Sequence, residues 1–257
     1  MQNHGQKETN SELDSVGFKY TESKGIVEYP NVTENPPDEI ARTSFLLGII
    51  LGISIGLIPT LHFKGISLYV ISLMTFHFLE YYITARYNPK NANSDSFLLF
   101  SNGIAYLAAQ LFAIAECFLE FIFFPHMKFP STKIRVGILL LGLTLTVSGQ
   151  VVRSLAMITA GRSFSHIIKR KKEKGHMLVT NGIYGYLRHP SYFGYFWWAL
   201  GTQWLLLNPV SLVLFAIVLW LFFKKRIAVE EEHLVRFFGA EYENYRRRVG
   251  VWIPFIY

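Results

Sequence analysis

Charged residues are scarce in this sequence, and cysteine is nearly absent. Asp, Glu, Lys and Arg make up 17% of the 257 residues, against about 25% in soluble domains, whereas 51% are hydrophobic. The single cysteine, Cys117, excludes a disulfide within the chain and a zinc site built from several cysteines. The apolar residues gather into runs near the length of about 20 residues that crosses a bilayer core. The composition therefore favours an integral membrane protein.

Several common functional motifs are also missing. The chain contains no Gly-x-Gly-x-x-Gly, P-loop, Gly-x-Ser-x-Gly or His-Glu-x-x-His motif, which argues against the usual nucleotide, acyl-transfer and zinc-protease sites. The net charge of +7 does not indicate a nucleic-acid partner, because Lys and Arg lie between and after the apolar runs. The spacing of His166, His176 and His189 matches no zinc-ligand pattern, so no metal site is expected.

Four apolar runs come first along the chain. They cover about 44–59, 66–83, 96–124 and 134–158, which predicts a disordered cytosolic tail over 1–42 and a four-span membrane region over 43–160. The third run is too long for one straight span, so we expect it to be tilted or broken near Ala109. His77 and Glu80 end the second run, where a structural polar contact is expected.

Three glycines in the first run share one helix face. Gly48, Gly52 and Gly56 are four residues apart, which is typical of close helix packing in membranes. We expect them to pack the first span against its neighbours in the bundle. The alternative is a homo-oligomer that forms through the same face.

The second half of the chain, 161–257, begins with a polar stretch. A basic cluster at 169–174 marks the cytosolic side. Two short apolar segments, 195–207 and 210–223, meet at Asn208-Pro209, which predicts a helical hairpin, and the amphipathic stretch 224–249 predicts a cytosolic C-terminal helix. The predicted fold is all-α: a polytopic membrane protein with about six transmembrane helices and both termini in the cytosol.

Polar residues are dense between about 163 and 192, and distinctive motifs stand there and farther along the chain. They are Ser-Phe-Ser-His at 163–166, His-Met-Leu-Val-Thr-Asn-Gly-Ile-Tyr at 176–184, Arg-His-Pro-Ser-Tyr-Phe-Gly at 188–194, Glu-Glu at 230–231 and Phe-Gly-Ala-Glu-Tyr-Glu-Asn-Tyr at 238–245. With these motifs the chain resembles the isoprenylcysteine carboxyl methyltransferase family over about 39–257, and its fungal members closely. The resemblance implies a methyltransferase region over 161–257.

The resemblance also implies site residues and partners. A binding site for S-adenosylmethionine would consist of Lys169, His176, Met177, Leu178, Val179, Tyr184, His189, Pro190, Ser191, Tyr192 and Glu230. Arg226 would bind the substrate carboxylate and act in catalysis, and we add Arg153, at the cytosolic end of the fourth run, as a second catalytic residue. The implied partners are prenylated CaaX proteins, such as Ras-like GTPases and a prenylated mating pheromone, and the bilayer of the endoplasmic reticulum.

Elementary chemistry supports these residue types. S-adenosylmethionine carries a sulfonium, an ammonium and an adenine, so its pocket needs a carboxylate, hydrogen-bonding side chains and apolar walls. A C-terminal carboxylate has a pKa of about 3.5, so it is ionised at neutral pH and needs an orienting cation rather than a general base. The planar guanidinium of Arg226 can hold such a carboxylate with two hydrogen bonds.

Two other functions remain as alternatives. The Arg-His-Pro-x-Tyr-x-Gly core also occurs in phospholipid methyltransferases and in sterol-reductase-like membrane enzymes, so a phosphatidylethanolamine-type N-methyltransferase is the second candidate. The upstream Ser-Phe-Ser-His, the Glu-Glu pair and the Phe-Gly-x-Glu-Tyr sequence favour the prenylcysteine branch. A non-catalytic scaffold that binds lipid headgroups through the basic cluster is the third.

Overall fold

The computed structural model describes residues 19–22, 25–129, 133–172 and 177–257. Its helices are α1 (Pro37–Leu57), α2 (Lys64–Tyr87), α3 (Ile104–Phe123), α4 (Pro125–Lys128), α5 (Lys133–Ala160), α6 (Pro190–Leu206), α7 (Pro209–Phe238) and α8 (Ala240–Arg248). Two strands, β1 (Lys19–Glu22) and β2 (Gly25–Glu28), pair antiparallel where the sequence predicts a disordered tail. The first helix begins at Pro37, before the predicted membrane boundary at 43.

Four of the helices, α1, α2, α3 and α5, have the length and composition of membrane spans. Their most apolar 18-residue windows have mean hydropathies of 1.3 to 1.9, yet only 11–33% of each window is buried inside the protein. Most of these apolar side chains therefore face outward, where lipid rather than water is the favourable solvent. The prediction of a polytopic, helical membrane protein is confirmed.

Very close helix packing joins α5 to α6. A Cβ added to Gly149 would lie 2.6 Å from the carbonyl oxygen of Gly194, and one added to Gly201 would lie 2.5 Å from Thr146 Oγ1. Only glycine allows the two backbones to approach so closely. The start of α6, where much of the polar motif lies, is thereby fixed against the end of α5.

The glycine face of α1 behaves differently. Within the described part of the chain, no atom beyond the nearby backbone of α1 itself lies within 4 Å of a Cβ built on Gly48, Gly52 or Gly56. The prediction that these glycines pack α1 into the bundle is wrong. A helix with a glycine stripe has the same sequence pattern whether or not a neighbour is present, and the alternative of a homo-oligomer stays a prediction.

The third apolar run is interrupted earlier than predicted. A 3₁₀ turn covers Ser94–Phe97, Leu98 has a left-handed φ of 56°, and Gly103 has a φ of 84° immediately before α3. The helix then continues through Ala109 without a break. The excess length of the run lies in this turn, so α3 has the 20 residues of an ordinary span.

The turn between α6 and α7 is held by polar groups of α3 and α4. Lys128, which is fully buried, donates from Nζ to the carbonyl oxygens of Leu206 at 2.7 Å and Leu207 at 3.1 Å and lies 2.6 Å from Glu120. The carboxylate of Glu116 accepts hydrogen bonds from the first backbone amides of α7. A cation at the end of α6 and an anion at the start of α7 both complement the helix dipoles. The predicted hairpin at Asn208-Pro209 is thus anchored at its tip.

The prediction of a separate helix over 224–249 is wrong about where the helix begins and ends. The apolar and amphipathic stretches form one continuous helix, α7, which ends at Phe238. Gly239 then adopts a φ of 55° and starts the shorter α8. Nothing in the charged stretch after Phe223 breaks the helix, so it continues until Gly239 provides the positive φ at which it ends.

Candidate active site

A polar pocket of about 110 Å³ lies where the end of α5, the segments 163–165 and 177–188, the start of α6, the charged half of α7 and α8 meet. Nine of the predicted cofactor-binding residues line it: Met177, Leu178, Val179, Tyr184, His189, Pro190, Ser191, Tyr192 and Glu230. Lys169 does not line it, and His176 lies outside the described residues. The structure therefore brings most of the predicted set into one place.

The carboxylate of Glu230 has an unused acceptor in this pocket. Its Oε2 atom is buried and has no hydrogen-bond partner among the described residues, while His189 Nδ1 lies 3.7 Å away. A buried carboxylate oxygen without a donor is costly, so such an atom indicates a missing cationic or N–H partner. Burial and the nearby Glu230 charge raise the pKa of Tyr184, which therefore remains a neutral hydrogen-bond donor.

The neighbouring carboxylate, Glu231, has a structural role instead. Arg188 Nε donates to Glu231 Oε1 at 2.9 Å, and His189 Nε2 lies 3.1 Å from the same oxygen. Burial alone would raise the pKa of Glu231, but these two partners outweigh it and hold that pKa below its ordinary value. Arg188 also donates to the carbonyl oxygens of Arg246 and Val249. The Glu-Glu pair thus divides into one available carboxylate and one that ties α6, α7 and α8 together.

A second cavity of about 440 Å³ opens between α3, α6 and α7. Most of its walls are apolar side chains: Leu98, Ala105, Ala109, Phe112, Leu214, Phe215, Val218, Leu219, Phe222 and Phe223. Its polar end carries Arg153, His166 and Arg226. This apolar cavity therefore suits a long hydrocarbon chain that ends in an anionic group.

Arg226 has donors available at that polar end. Its Nε donates to the Tyr192 hydroxyl at 2.9 Å and its Nη2 donates to the His166 carbonyl oxygen at 2.6 Å. These neutral acceptors orient the guanidinium without neutralising it, and no carboxylate of the described residues forms a salt bridge with it. Arg226 can therefore bind an anion in the apolar cavity.

The charge of Arg153 is already matched. Arg153 donates through Nε and through Nη2, at 2.8 Å, to the two carboxylate oxygens of Glu80, which is fully buried. His166 Nε2 lies 2.9 Å from Glu80, and Arg153 Nη1 donates to Ser191 Oγ at 3.0 Å. Arg153 lines the apolar cavity, but this geometry favours a positioning role, and its predicted catalytic role stays a prediction.

His77, by contrast, makes the kind of contact that the sequence predicts. Its Nδ1 lies 2.8 Å from the carbonyl oxygen of Phe97, and its Nε2 lies 3.1 Å from the Tyr106 hydroxyl. These two partners use both ring nitrogens. His77 therefore holds the turn before α3 against α2, whereas Glu80 contacts Arg153 and His166, which line the apolar cavity.

The polar pocket and the apolar cavity share a wall. Phe164, Ser165, Ser191 and Tyr192 line both. On α7, Arg226 faces the apolar cavity and Glu230 faces the polar pocket, one helical turn apart. Two ligands bound in these cavities would meet at the shared wall.

Other lining residues of the polar pocket were not predicted as site residues. They are Ala160, Ser163, Phe164, Ser165, Arg188, Leu234, Phe238, Tyr242 and Tyr245. Several of them stand in the quoted motifs at 163–166, 188–194 and 238–245, so the signal was present. Tyr242 and Tyr245 reach the pocket from α8, where Tyr245 donates from its hydroxyl to the carbonyl oxygen of Tyr184, a contact that the sequence does not reveal.

A helical bundle with a lipid-facing surface defines a polytopic membrane protein, and this one has a polar pocket and an apolar cavity side by side. The family model described as "Isoprenylcysteine carboxyl methyltransferase (ICMT) family" matches residues 140–236. The protein-S-isoprenylcysteine O-methyltransferase of Saccharomyces cerevisiae is 55% identical over 230 residues, covering 89% of this chain and 96% of the relative. The Homo sapiens protein of the same name is 40% identical, with coverages of 86% and 76%.

A solved structure agrees with these relatives. It is titled as the eukaryotic intramembrane Ras methyltransferase ICMT, isoprenylcysteine carboxyl methyltransferase. Its TM-score is 0.77 at 35% sequence identity, and the match covers 82% of this chain and 74% of that one. The chain belongs to the isoprenylcysteine carboxyl methyltransferase family.

Proposed function

We propose that this protein transfers the methyl group of S-adenosylmethionine to the C-terminal carboxylate of an S-prenylated cysteine, giving a methyl ester and S-adenosylhomocysteine. The observation that carries this function is the placement of Arg226 and Glu230 on either side of the wall between the two cavities. One residue can hold an anionic acceptor and the other a cationic donor. Membership of the family supports the same reaction.

The residues of the polar pocket fit S-adenosylmethionine. The unpartnered Oε2 of Glu230 can accept from an ammonium group, Tyr184 can donate a hydrogen bond, and Leu178 and Val179 offer apolar surface to an adenine. When bound, the cofactor supplies an electrophilic methyl group. The task of the protein is to aim that group at the shared wall and to exclude water from it.

The apolar cavity fits the acceptor. A prenyl chain gains about 0.8 kcal/mol per methylene when it leaves water, so the substrate partitions into lipid, and the apolar side chains of α3 and α7 can then receive the chain from the bilayer. Arg226 would hold the carboxylate oxygens and present one of them to the methyl group. No group has to remove a proton, because the acceptor is already ionised at neutral pH.

Prenylated CaaX proteins, including Ras-like GTPases and prenylated mating pheromones, are the proposed substrates. One experiment separates this function from its alternatives. Purified protein with labelled S-adenosylmethionine is offered either N-acetyl-S-farnesylcysteine or phosphatidylethanolamine. We expect label to appear in an alkali-labile ester of the first substrate only. Transfer to the amine would support a phospholipid methyltransferase, and transfer to neither would support a scaffold.

His189 provides a test of the cofactor site. Its ring stacks on Tyr192 at a centroid distance of 5.5 Å, and the residue lines the polar pocket. We expect His189→Ala to weaken S-adenosylmethionine binding in a direct titration. Tyr186→Ala is the matched control, because Tyr186 is 79% exposed and does not line the pocket. Unchanged affinity in a folded His189→Ala protein would remove His189 from the site.

We further propose six membrane spans, with the α6–α7 hairpin added to the four long helices, in the endoplasmic reticulum membrane. The basic residues at 169–172 and 224–226 would then lie on the cytosolic side, and so would both ends of the chain.

This topology leaves Asn31, in the sequon Asn-Val-Thr, unglycosylated. The measurement is the electrophoretic mass before and after glycosidase treatment. A glycosidase-sensitive shift that disappears in Asn31→Gln would place this segment in the lumen and contradict the topology.

A further inference from the structure

The segment after α8 alternates buried and exposed side chains. Those directed inward are part of the hydrophobic core: Val251, Ile253 and Ile256, each no more than 7% exposed. Those directed outward are aromatic: Trp252, Phe255 and Tyr257, which are 69%, 76% and 95% exposed. Large aromatic side chains so exposed on a well-anchored segment form an apolar patch that indicates an interaction surface.

The backbone of this segment is strained at two of these aromatic residues. Trp252 and Phe255 have φ angles of 63° and 61°. Bulky residues rarely adopt this left-handed region, because their Cβ atoms crowd the neighbouring carbonyl oxygens. The buried Val251 and Ile253 on either side of Trp252 hold the backbone in place. Such conformations persist only where the surrounding structure enforces them, and they cluster at functional sites.

The position of the patch relative to the bilayer follows from α7. Trp220 Nε1 donates to the carbonyl oxygen of Pro254 at 2.7 Å, so the segment contacts α7 at that level. Trp220 lies one turn, or about 6 Å, before Lys224, where the charges of α7 begin. Pro254 is therefore level with the last apolar turns of the helix. Val218 and Leu221, on those turns, are 59% and 47% exposed.

We propose that Trp252, Phe255 and Tyr257 form an aromatic anchor in the headgroup region of the cytosolic leaflet. Aromatic rings, above all those of Trp and Tyr, concentrate at this depth, because one part of the side chain is apolar and another can hydrogen-bond to water or headgroups. The occupant is the phospholipid interface rather than a protein, because the patch continues the lipid-facing surface of α7 at the boundary with its basic residues. Lys224, with Nζ 4.7 Å from the Trp220 ring, adds a cation that suits lipid phosphates.

This anchor is attached to the polar pocket. Arg188 donates its backbone N–H to the carbonyl oxygen of Gly250 at 3.0 Å, and its Nη1 donates to that of Val249 at 2.7 Å. Arg188 lines the pocket and precedes His189. Contact of the segment with lipid therefore also fixes the loop that forms one wall of the pocket.

Tryptophan fluorescence tests the anchor without substrate or cofactor, so its result is independent of the proposed reaction. The full chain is placed in phosphatidylcholine nanodiscs, and the emission of Trp252→Phe is subtracted from that of the wild type. We expect the difference spectrum to be blue-shifted, to lose intensity with lipids that carry a quencher just below the headgroup, and to resist iodide in the water.

A tryptophan at position 255 tests a second residue of the patch, and a tryptophan in the polar loop shows how a water-exposed side chain responds. Phe255→Trp in the Trp252→Phe background should show the same quenching by lipid, whereas Lys171→Trp in that background, in the polar loop, should be quenched by iodide. If both Trp252 and the tryptophan at position 255 are quenched by iodide and not by lipid, the patch lies in water, open to a soluble partner, and the proposal is overturned.

Discussion

Glu80→Gln is expected to destabilise the folded protein by about 3–5 kcal/mol, which is the typical cost of removing one partner from a buried ion pair. Glu80 is fully buried and accepts from Arg153 and contacts His166. The neutral amide would leave the Arg153 guanidinium uncompensated in a medium of low dielectric. Thermal denaturation of the protein in detergent measures the loss.

The control is the same substitution at an exposed ion pair. Glu232 pairs with Arg236 one turn along α7, and both side chains are at least 60% exposed. Glu232→Gln should therefore cost no more than about 1 kcal/mol. Equal stability losses at positions 80 and 232 would contradict a special role for the buried pair.

A double variant separates structure from catalysis at Arg153. Glu80→Leu with Arg153→Met removes both charges, and replacing a buried pair by apolar residues of similar volume is often neutral or stabilising. We expect stability to recover. Turnover should stay low, because Arg153 also holds Ser191 on the wall between the cavities. Recovery of turnover together with stability would leave Arg153 as a structural partner only.

The sequence predicts the four long membrane helices and the clustering of most candidate cofactor-binding residues, because both depend on local composition. In lipid, backbone polar groups must be satisfied within the protein, so apolar runs of sufficient length form helices. The polar segment between α5 and α6 departs from that rule, and irregular backbone beside a membrane usually lines a cavity. The motifs at 176–184 and 188–194 indeed supply most of the predicted residues of the polar pocket.

What the sequence does not reveal are contacts between distant elements. Glu80 and Arg153 are 73 positions apart, and no spacing pattern joins them. The three glycines of α1 look more like a packing motif than Gly149 and Gly194 do, yet among the described residues it is Gly149 and Gly194, not those three, that lie against another helix. The spacing of residues shows which side chains share a helix face, but it does not show which other helix packs against that face.

The end of α7, by contrast, could have been predicted from the sequence, because a glycine marks it. Gly239 follows a long amphipathic stretch and is the type of residue that ends a helix in the left-handed conformation. Amphipathic periodicity continues on both sides of Gly239, so the stretch 224–249 is predicted as one helix. The correction matters for function, because α8 carries Tyr242 and Tyr245 to the polar pocket.

Arg226→Lys should lower turnover by about 10²-fold while the affinity for S-adenosylmethionine stays nearly intact, since misplacing a reacting group by about 1 Å can cost that much. Lysine keeps the charge but loses the planar fork that can hold both carboxylate oxygens. It would also lose the bond from Arg226 Nε to Tyr192, which sets the direction of the guanidinium toward the apolar cavity. Steady-state methylation of N-acetyl-S-farnesylcysteine, together with titration of the cofactor, measures both effects.

Glu230→Gln is the matched variant and should give the opposite result. Glu230 lies one turn farther along α7 and faces the polar pocket, so its loss should weaken the cofactor first and leave the Michaelis constant for the acceptor nearly unchanged. The two variants thus test separately whether the apolar cavity binds the acceptor and whether the polar pocket binds the cofactor. Near-normal turnover in folded Arg226→Lys would make Arg226 an anchor for lipid phosphates, because a phosphate contact tolerates lysine. The substrate carboxylate would then need another cation, and Arg153, already paired with Glu80, would have to exchange partners to provide it.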